Sequence, residues 1–343
     1  MRKYSEIQIF HTSSQTDNTH ADFIMSADTQ YIKTEKSNIT TITEFILLGF
    51  SDVPQLKWFL FGMFFLVYLA ILMCNSIIIL VTRMDPALQT PMYYFLNNFS
   101  FVEICYVTVT IPRMLMDICA PKGNISLLNC AIQVWFFFTF AGIECLLLTV
   151  MAYDRYVAIC KPLLYALIMN HRVCVQLVAA SWVSVILVVT AQTYQIFSLS
   201  FCGSNRINHF FCDVPPILRL ACEETFANNL AIFIVSAVLI MVPFLLITVS
   251  YGKIICSILQ LSSAGGRSKA FSTCSSHLTV VVLYYGTFAI TYIRPNPNAS
   301  EGVGKIVSLF YTVLSPLLNP IIYTLRNKEI SAALSKLPKK LLT

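Results

Sequence analysis

The stretch WFLFGMFFLVYLAILMCNSIIILVT, Trp58–Thr82, decides the fold class. It runs for 25 residues without an Asp, Glu, Lys or Arg, and a helix that crosses a bilayer needs about 20 predominantly apolar residues. The pattern then repeats along the chain. Pro86–Val102 is interrupted by Glu103 alone and resumes at Ile104–Pro112. Gly123–Ile143 is interrupted by Glu144 alone and resumes at Cys145–Tyr153. Val173–Asn205, Thr225–Gly252, Ala270–Ile293 and Ile306–Leu325 complete a set of seven. The Val173 and Thr225 stretches exceed one span, so each is expected to include loop. Backbone groups inside lipid must be satisfied within the segment, which selects helices, and the short alternating segments of a membrane barrel are absent. The expectation is an all-α membrane protein, a seven-transmembrane helix bundle.

Composition agrees. Charged residues make up 12% of the 343, against roughly 25% in soluble domains, and hydrophobic residues 57%. Disorder needs the reverse balance, and 11 Gly with 14 Pro exclude a collagen-like or Gly/Pro-rich chain. So few charges cannot cover the surface of a water-soluble globule of this size.

Seven spans put the termini on opposite sides, and Lys and Arg mark the cytoplasmic one. Twelve basic residues, from Arg83 to Lys340, gather with the even-numbered connections and the C-terminus. The C-terminus is therefore expected inside and the N-terminus outside. The net charge of +6 then reads as a topology signal, with some attraction for anionic lipid or an acidic partner surface; no nucleic-acid partner is implied. Three parts follow: residues 1–57 as an extracellular, flexible tail, 58–326 as the seven-helix unit, and 327–343 as a short cytoplasmic tail able to form an amphipathic surface helix. The tail lacks the basic-then-apolar signal-peptide pattern, so the first span is expected to act as an uncleaved insertion signal. Its sequon Asn38-Ile39-Thr40 is a glycosylation candidate.

Cys130, Cys202, Cys212 and Cys222 lie outside by this topology. Four cysteines in an oxidising compartment suggest two disulfides, with three connectivities open. Glu103 and Glu144 lie inside spans, where an ionised group is costly unless paired or hydrated, so both should face the bundle interior. Together they suit a shared proton or a bound cation such as sodium. The alternative is a carboxylic acid hydrogen-bonded to Asn75, Ser315 or Asn319. Asp154-Arg155-Tyr156 falls at the inner end of the third span, where an arginine commonly snorkels to water.

The strings LQTPMYYFL (Leu88–Leu96), MAYDRYVAIC (Met151–Cys160), KAFSTCSSHL (Lys269–Leu278) and PLLNPIIYTLRN (Pro316–Asn327), with Ser250-Tyr251 ending the fifth span, together resemble the mammalian olfactory receptors, a branch of the rhodopsin-like G-protein-coupled receptors. The resemblance covers roughly Thr43 to Lys328. It implies a Cys130–Cys212 bridge and a Cys202–Cys222 bridge. It gives Asp154, Arg155 and Tyr156, with Tyr251 and Tyr323, the part of a switch that meets the G protein. It matches Glu103 and Glu144 to the acidic positions of a sodium or proton site. It implies a stimulatory, olfactory-type G protein that raises cAMP, a plasma-membrane location in neuronal cilia, and no cofactor beyond that sodium. The chain departs from the family pattern at Gln89, Tyr94 and Glu103, where His, Phe and Asp are commoner. No cysteine follows Cys274, so a palmitoyl anchor after the seventh span is not expected.

A ligand pocket should open between helices in the outer half of the bundle. Helical spacing nominates Phe137, Phe138, Ala141 and Gly142 on the third span, Ser236 and Leu239 on the fifth, Tyr285, Phe288, Ala289 and Tyr292 on the sixth, and Leu309 and Thr312 on the seventh. The lining is apolar and aromatic with no acid to hold an amine, which implies a small, mostly apolar, volatile or semi-volatile ligand. Two other readings are a receptor of this fold acting outside the olfactory epithelium, and an ion or proton transporter using Glu103 and Glu144; the odd span count and the lack of a repeated half weigh against the transporter. No HExxH, GxSxG or paired catalytic motif appears, so no enzyme is expected.

Overall fold

The structure is a computed structural model that describes residues 42–51, 54–120, 123–202, 204–222, 226–260, 264–292 and 301–341. Its helices are α1 (Lys57–Met84), α2 (Pro91–Cys119), α3 (Leu127–Cys160), α4 (His171–Phe197), α5 (Phe226–Leu259) and α6 (Ala264–Tyr292). α7 runs from Glu301–Leu309 through a π-helical turn at Phe310–Leu314 into Ser315–Arg326, and α8 is Lys328–Leu341. Among the described residues, six segments are long and apolar enough to cross a membrane; they lie in α1–α5 and α7. α6 is equally long, at 29 residues, but its first half carries the Arg267–His277 polar run. Sequence hydropathy averages that half with the apolar remainder, so this span is the weakest of the seven by composition.

α3 is the axis of the bundle. In its most apolar window 67% of residues are buried, against 28% in α1 and α4 and 22% in α5. Exposed apolar side chains such as Leu66, Val183, Leu187, Leu245 and Val249 form the outer belt, as a hydrocarbon solvent requires. Ser126 caps α3 by accepting from the Asn129 N–H, and Asn170 caps α4 through the Val173 N–H, each satisfying an orphan helix donor.

One end of the bundle carries a small sheet of order β2-β1-β3, from β1 (Glu44–Leu47), β2 (Gly123–Ser126) and β3 (Arg206–Ile207). β1 pairs antiparallel with β2 and parallel with β3. Phe45 and Leu47 are buried beneath it with Ile125, Ile207, Phe201 and Ile196. Thus the stretch Ile42–Ser51, which the sequence reads as the end of a flexible tail, is a strand followed by a turn; Gly49 takes the left-handed backbone (φ 48°) of that turn. At the opposite end Asn327 caps α8 through the Glu329 and Ile330 N–H groups. Ile330 and Ala333 are buried against the bundle, the amphipathic arrangement expected of this segment. Asn38 lies outside the described residues.

Candidate functional site

At the sheet end, two disulfides join Cys130 to Cys212 and Cys202 to Cys222. The first ties the start of α3 to the long loop after α4. Gln133, one turn further along α3, accepts from the Cys212 N–H at 3.0 Å and donates to the Val109 carbonyl at 3.2 Å. The loop is therefore held on α3 by a covalent bond and a side-chain hydrogen bond together. This fixes Phe211, the residue before Cys212, inside the bundle.

Phe211 meets Phe137 with ring centroids 5.0 Å apart. Phe137 also contacts Tyr106 at 5.2 Å, Phe138 at 5.1 Å and Tyr311 at 6.2 Å. This aromatic cluster draws on α2, α3, α7 and the loop. Ala141 is buried one turn below, and its carbonyl accepts from the Tyr284 hydroxyl. The Tyr285 ring meets Phe244 at a tilt, with centroids 5.2 Å apart, and its hydroxyl meets the Cys145 thiol at 2.9 Å, while the Leu239 carbonyl accepts from that thiol. Leu309 packs on the core, and the Thr312 hydroxyl is used by its own helix, donating to the Ser308 carbonyl. Gly142 lies elsewhere: a Cβ there would stand 2.7 Å from a methyl of Val185 on α4. It allows close approach of α3 and α4. Consecutive helical residues point about 100° apart, so Ala141 and Gly142 cannot share a face. The side chains of Ser236, Phe288, Ala289 and Tyr292 fall outside the described set.

Tyr106, Phe211, Tyr284 and Tyr311 escaped the sequence reading. Phe211 had a signal, the HFFC run before the loop cysteine. The tyrosines had none, because an aromatic in a span is equally at home facing lipid.

Above this cluster His209 and Asp213 are buried in the loop. His209 Nε2 lies 3.0 Å from the Ser308 hydroxyl, and the Lys305 ammonium donates to the Gly49 carbonyl at 2.9 Å. Burial, reinforced by the Lys305 charge, pushes His209 down to about 3. Burial pushes Asp213 up to about 6, against the lowering effect of hydrogen bonds from the Val214 N–H and Tyr311. Both groups favour their neutral form here.

In the middle of the bundle Glu103 and Glu144 are buried, as expected. The Asn319 amide donates to Glu103 Oε1 at 2.6 Å, while the Asn75 amide donates to the Ile71 carbonyl at 3.1 Å. Glu103 acts electrostatically on Glu144. Six buried oxygens around them lack a hydrogen-bond partner: Asn75 Oδ1, Ser100 Oγ, Glu103 Oε2, Glu144 Oε1, Ser315 Oγ and Asn319 Oδ1. They come from α1, α2, α3 and α7. Buried polar atoms are nearly always satisfied, so such a concentration is a candidate place for water or a cation. Among the described residues no group of three or more His, Cys, Asp or Glu is present; two carboxylates with amide and hydroxyl oxygens form a hard donor set.

At the end away from the sheet, Asp154 is fully buried and accepts from the Tyr165 hydroxyl at 2.8 Å. Arg155 Nε is buried without a partner, and the Arg155 charge acts on Tyr251, Tyr323 and His277. Tyr251 hydrogen-bonds His277 Nδ1 at 2.7 Å with the rings stacked. The Tyr323 hydroxyl has no partner, and its ring meets Phe99 edge-on. So α3, α5, α6 and α7 converge on one arginine. Tyr156 does not join them. It points to the outer side of α3, where the Lys161 and Lys253 ammonium groups flank its ring, again because neighbours on a helix diverge by about 100°. His277 was missed; its signal was a lone imidazole in an otherwise uncharged span.

A family model described as "Olfactory receptor" matches residues 64–340. The chain is 65% identical to Olfactory receptor 10AG1 of Homo sapiens over 300 residues, covering 88% of this chain and 100% of that one. It is 50% identical to Olfactory receptor 5G9 of Mus musculus over 299 residues, covering 87% and 95%. The crystal structure of squid rhodopsin superposes with a TM-score of 0.64 at 17% identity, over 84% of this chain and 87% of that one; that likeness concerns the fold.

Proposed function

Because the chain belongs to the olfactory receptor family, and so is a multi-pass membrane receptor rather than an enzyme, we propose that it binds small, mostly apolar odorants among the aromatic residues of the sheet end and signals through a stimulatory, olfactory-type G protein that raises cAMP. On this reading residues 1–57 form an extracellular tail glycosylated at Asn38, 58–326 the receptor unit, and 327–343 a cytoplasmic tail. The sheet end faces outward and the Arg155 end faces the cytoplasm, at the plasma membrane of olfactory cilia.

The observation that supports this best is the division of one bundle into two unlike halves. The outer half offers Tyr106, Phe137, Phe211 and Tyr311, packed ring on ring. Such a lining binds apolar molecules through contact area and sets few directional demands, so affinity should be modest. The inner half gathers ionisable and hydroxyl groups from four helices around Arg155. A ligand that binds better when α6 swings outward shifts the population towards the open form. The Tyr251–His277 bond between α5 and α6 must then adjust, freeing Arg155 for the G protein.

The six unpartnered oxygens between Glu103 and Glu144 fit a sodium ion held by those two carboxylates with Asn75, Ser100, Ser315 and Asn319. Such an ion would supply positive charge that favours an ionised carboxylate and would bind α1, α2, α3 and α7 together. Sodium chloride, but not choline chloride, should raise the melting temperature of the purified receptor, and Glu144→Gln should remove the difference. Equal effects of the two salts would count against the ion.

The functional test is a panel of apolar volatiles applied to cells carrying the receptor and a cAMP reporter. Responses to at least one apolar odorant are expected, lost or reordered in Phe137→Ala. A receptor at the cell surface that responds only to charged or peptide ligands would overturn the reading.

A further inference from the structure

One groove of the molecule plays no part in the site above. It lies on the outer side of the bundle between the ends of α3 and α5, at the end that carries Arg155. Its volume is about 450 Å³, and it is lined by Tyr156 and Cys160 of α3 and by Val249, Gly252, Lys253, Cys256 and Ser257 of α5. The floor is closed by the Cys160 thiol, 3.1 Å from the Ser257 hydroxyl, so α3 and α5 are joined beneath the groove. Gly252 lines it where there is open space, since a Cβ there would meet nothing within 4 Å.

Two cations converge on the groove. Lys253 Nζ lies 5.6 Å from the centroid of the Tyr156 ring and Lys161 Nζ lies 6.0 Å from it. The only ion pair among the described residues is Arg113–Asp117, towards the sheet end of α2, so neither lysine is neutralised by a carboxylate there. Above the groove, Val238, Val242, Leu245 and Val249 are exposed at successive steps of four, three and four residues. That spacing is one continuous helix face. An apolar stripe thus runs from mid-bilayer into a notch that ends in two positive charges, the profile of a phospholipid with an anionic headgroup.

We propose that this groove is a binding site for an anionic phospholipid, its phosphate held between Lys161 and Lys253 beside the Tyr156 ring and one acyl chain laid along the Val238–Val249 stripe. The proposal rests on the reading of this end as cytoplasmic, because the cytoplasmic leaflet is the one rich in anionic lipid. An occupant here bridges the ends of α3 and α5, the two helices that bring Arg155 and Tyr251 together, and so favours one spacing of that pair. A scattered excess of lysines would mark topology alone. Convergence of two on one ring, at the foot of an open notch, selects a headgroup.

The test measures lipid retention by the purified full-length receptor in nanodiscs of phosphatidylcholine with a minor fraction of phosphatidylserine, using native mass spectrometry. Both leaflets carry the lipid, and neither odorant nor G protein is present, so failure of the signalling reading would leave this readout untouched. Wild type is expected to retain phosphatidylserine over phosphatidylcholine by about 30-fold, the combined effect of two lysines near an anionic headgroup. Lys161→Gln with Lys253→Gln should abolish the preference. Gly252→Leu, which keeps both charges and whose Cβ meets nothing within 4 Å, should reduce it by filling the notch. Free glycerophosphoserine should compete poorly, because it lacks the chain that lies on α5. Equal retention of the two lipids by wild type would overturn the proposal. So would an unchanged preference in Gly252→Leu, which would assign the effect to surface charge alone, or an unchanged preference in the lysine variants, which would place the headgroup elsewhere.

Discussion

The two ends of this bundle are built on opposite principles. At the sheet end the loop that bears Phe211 is held by two disulfides, by pairing of β1 with β2 and β3, and by the Lys305 contact to Gly49. At the other end Tyr165–Asp154 and Tyr251–His277 are single hydrogen bonds, and Arg155 Nε and the Tyr323 hydroxyl have no partner among the described residues. Covalent and multi-strand restraint fixes a geometry. Isolated hydrogen bonds, each worth about 1 kcal/mol net, can be exchanged at little cost. The contrast teaches that the outer end is shaped to present a surface, whereas the inner end is shaped to change.

The comparison breaks most visibly at the Cys130–Cys212 bridge. Cys130→Ser is expected to cost roughly 2–5 kcal/mol and to prevent surface delivery; cell-surface staining that matches wild type would show that the strands hold the loop alone. Cys202→Ser should be milder by about 1 kcal/mol in a chain-entropy account, since its bridge spans 20 residues against 82. Comparing the surface levels of the two variants checks the ranking.

At the inner end Arg155→Ala should abolish the cAMP response while surface expression stays near wild type. A normal response would remove the arginine from the switch. Tyr165→Phe takes away the hydroxyl that donates to Asp154. A net loss of about 1 kcal/mol in the resting form should raise ligand-independent cAMP about fivefold, and unchanged basal activity would make the contact merely structural.

The smallest effect concerns pH at the outer end. His209 is pushed down to about 3 from its ordinary 6.5, so its contribution is present above pH 6.5 and is lost as pH falls towards 3, at about 1.4 kcal/mol per unit. Asp213 is pushed up to about 6 from 3.8, so its contribution is present below 3.8 and is lost as pH rises through 6. Between pH 6 and 4 the slopes oppose and nearly cancel, and wild-type thermal stability should be flat there. Asp213→Asn should become less stable as pH falls through that window, and His209→Gln more stable. Parallel curves for the two variants would rule out this balance.

Much of the fold was legible because membrane residence leaves few options. Uncharged stretches set α1 to α7 to within eight residues at either end. Glu103 and Glu144 were legible as interior groups for the same reason: a carboxyl in a span has nowhere else to go. Pairing was another matter. Spacing alone left three disulfide connectivities open, and only resemblance favoured the one found. Periodicity also grouped neighbours that the fold separates. Gly142 beside Ala141, and Tyr156 beside Arg155, turned to other faces.

The sequence by itself determined that this chain lives in a membrane, how many times it crosses, and which few polar residues must look inward. Those are consequences of solvent, since hydrocarbon penalises charge and unsatisfied backbone wherever they occur. Only the tertiary structure decided that β1 folds back onto the outer loop, that Phe211 seals the aromatic cluster, that His277 holds Tyr251, and that Lys161 and Lys253 meet over Tyr156. Each is a contact between residues tens to hundreds of positions apart, or between adjacent turns of different helices. Such contacts depend on which helix faces which, and no local pattern of apolar and polar residues encodes that.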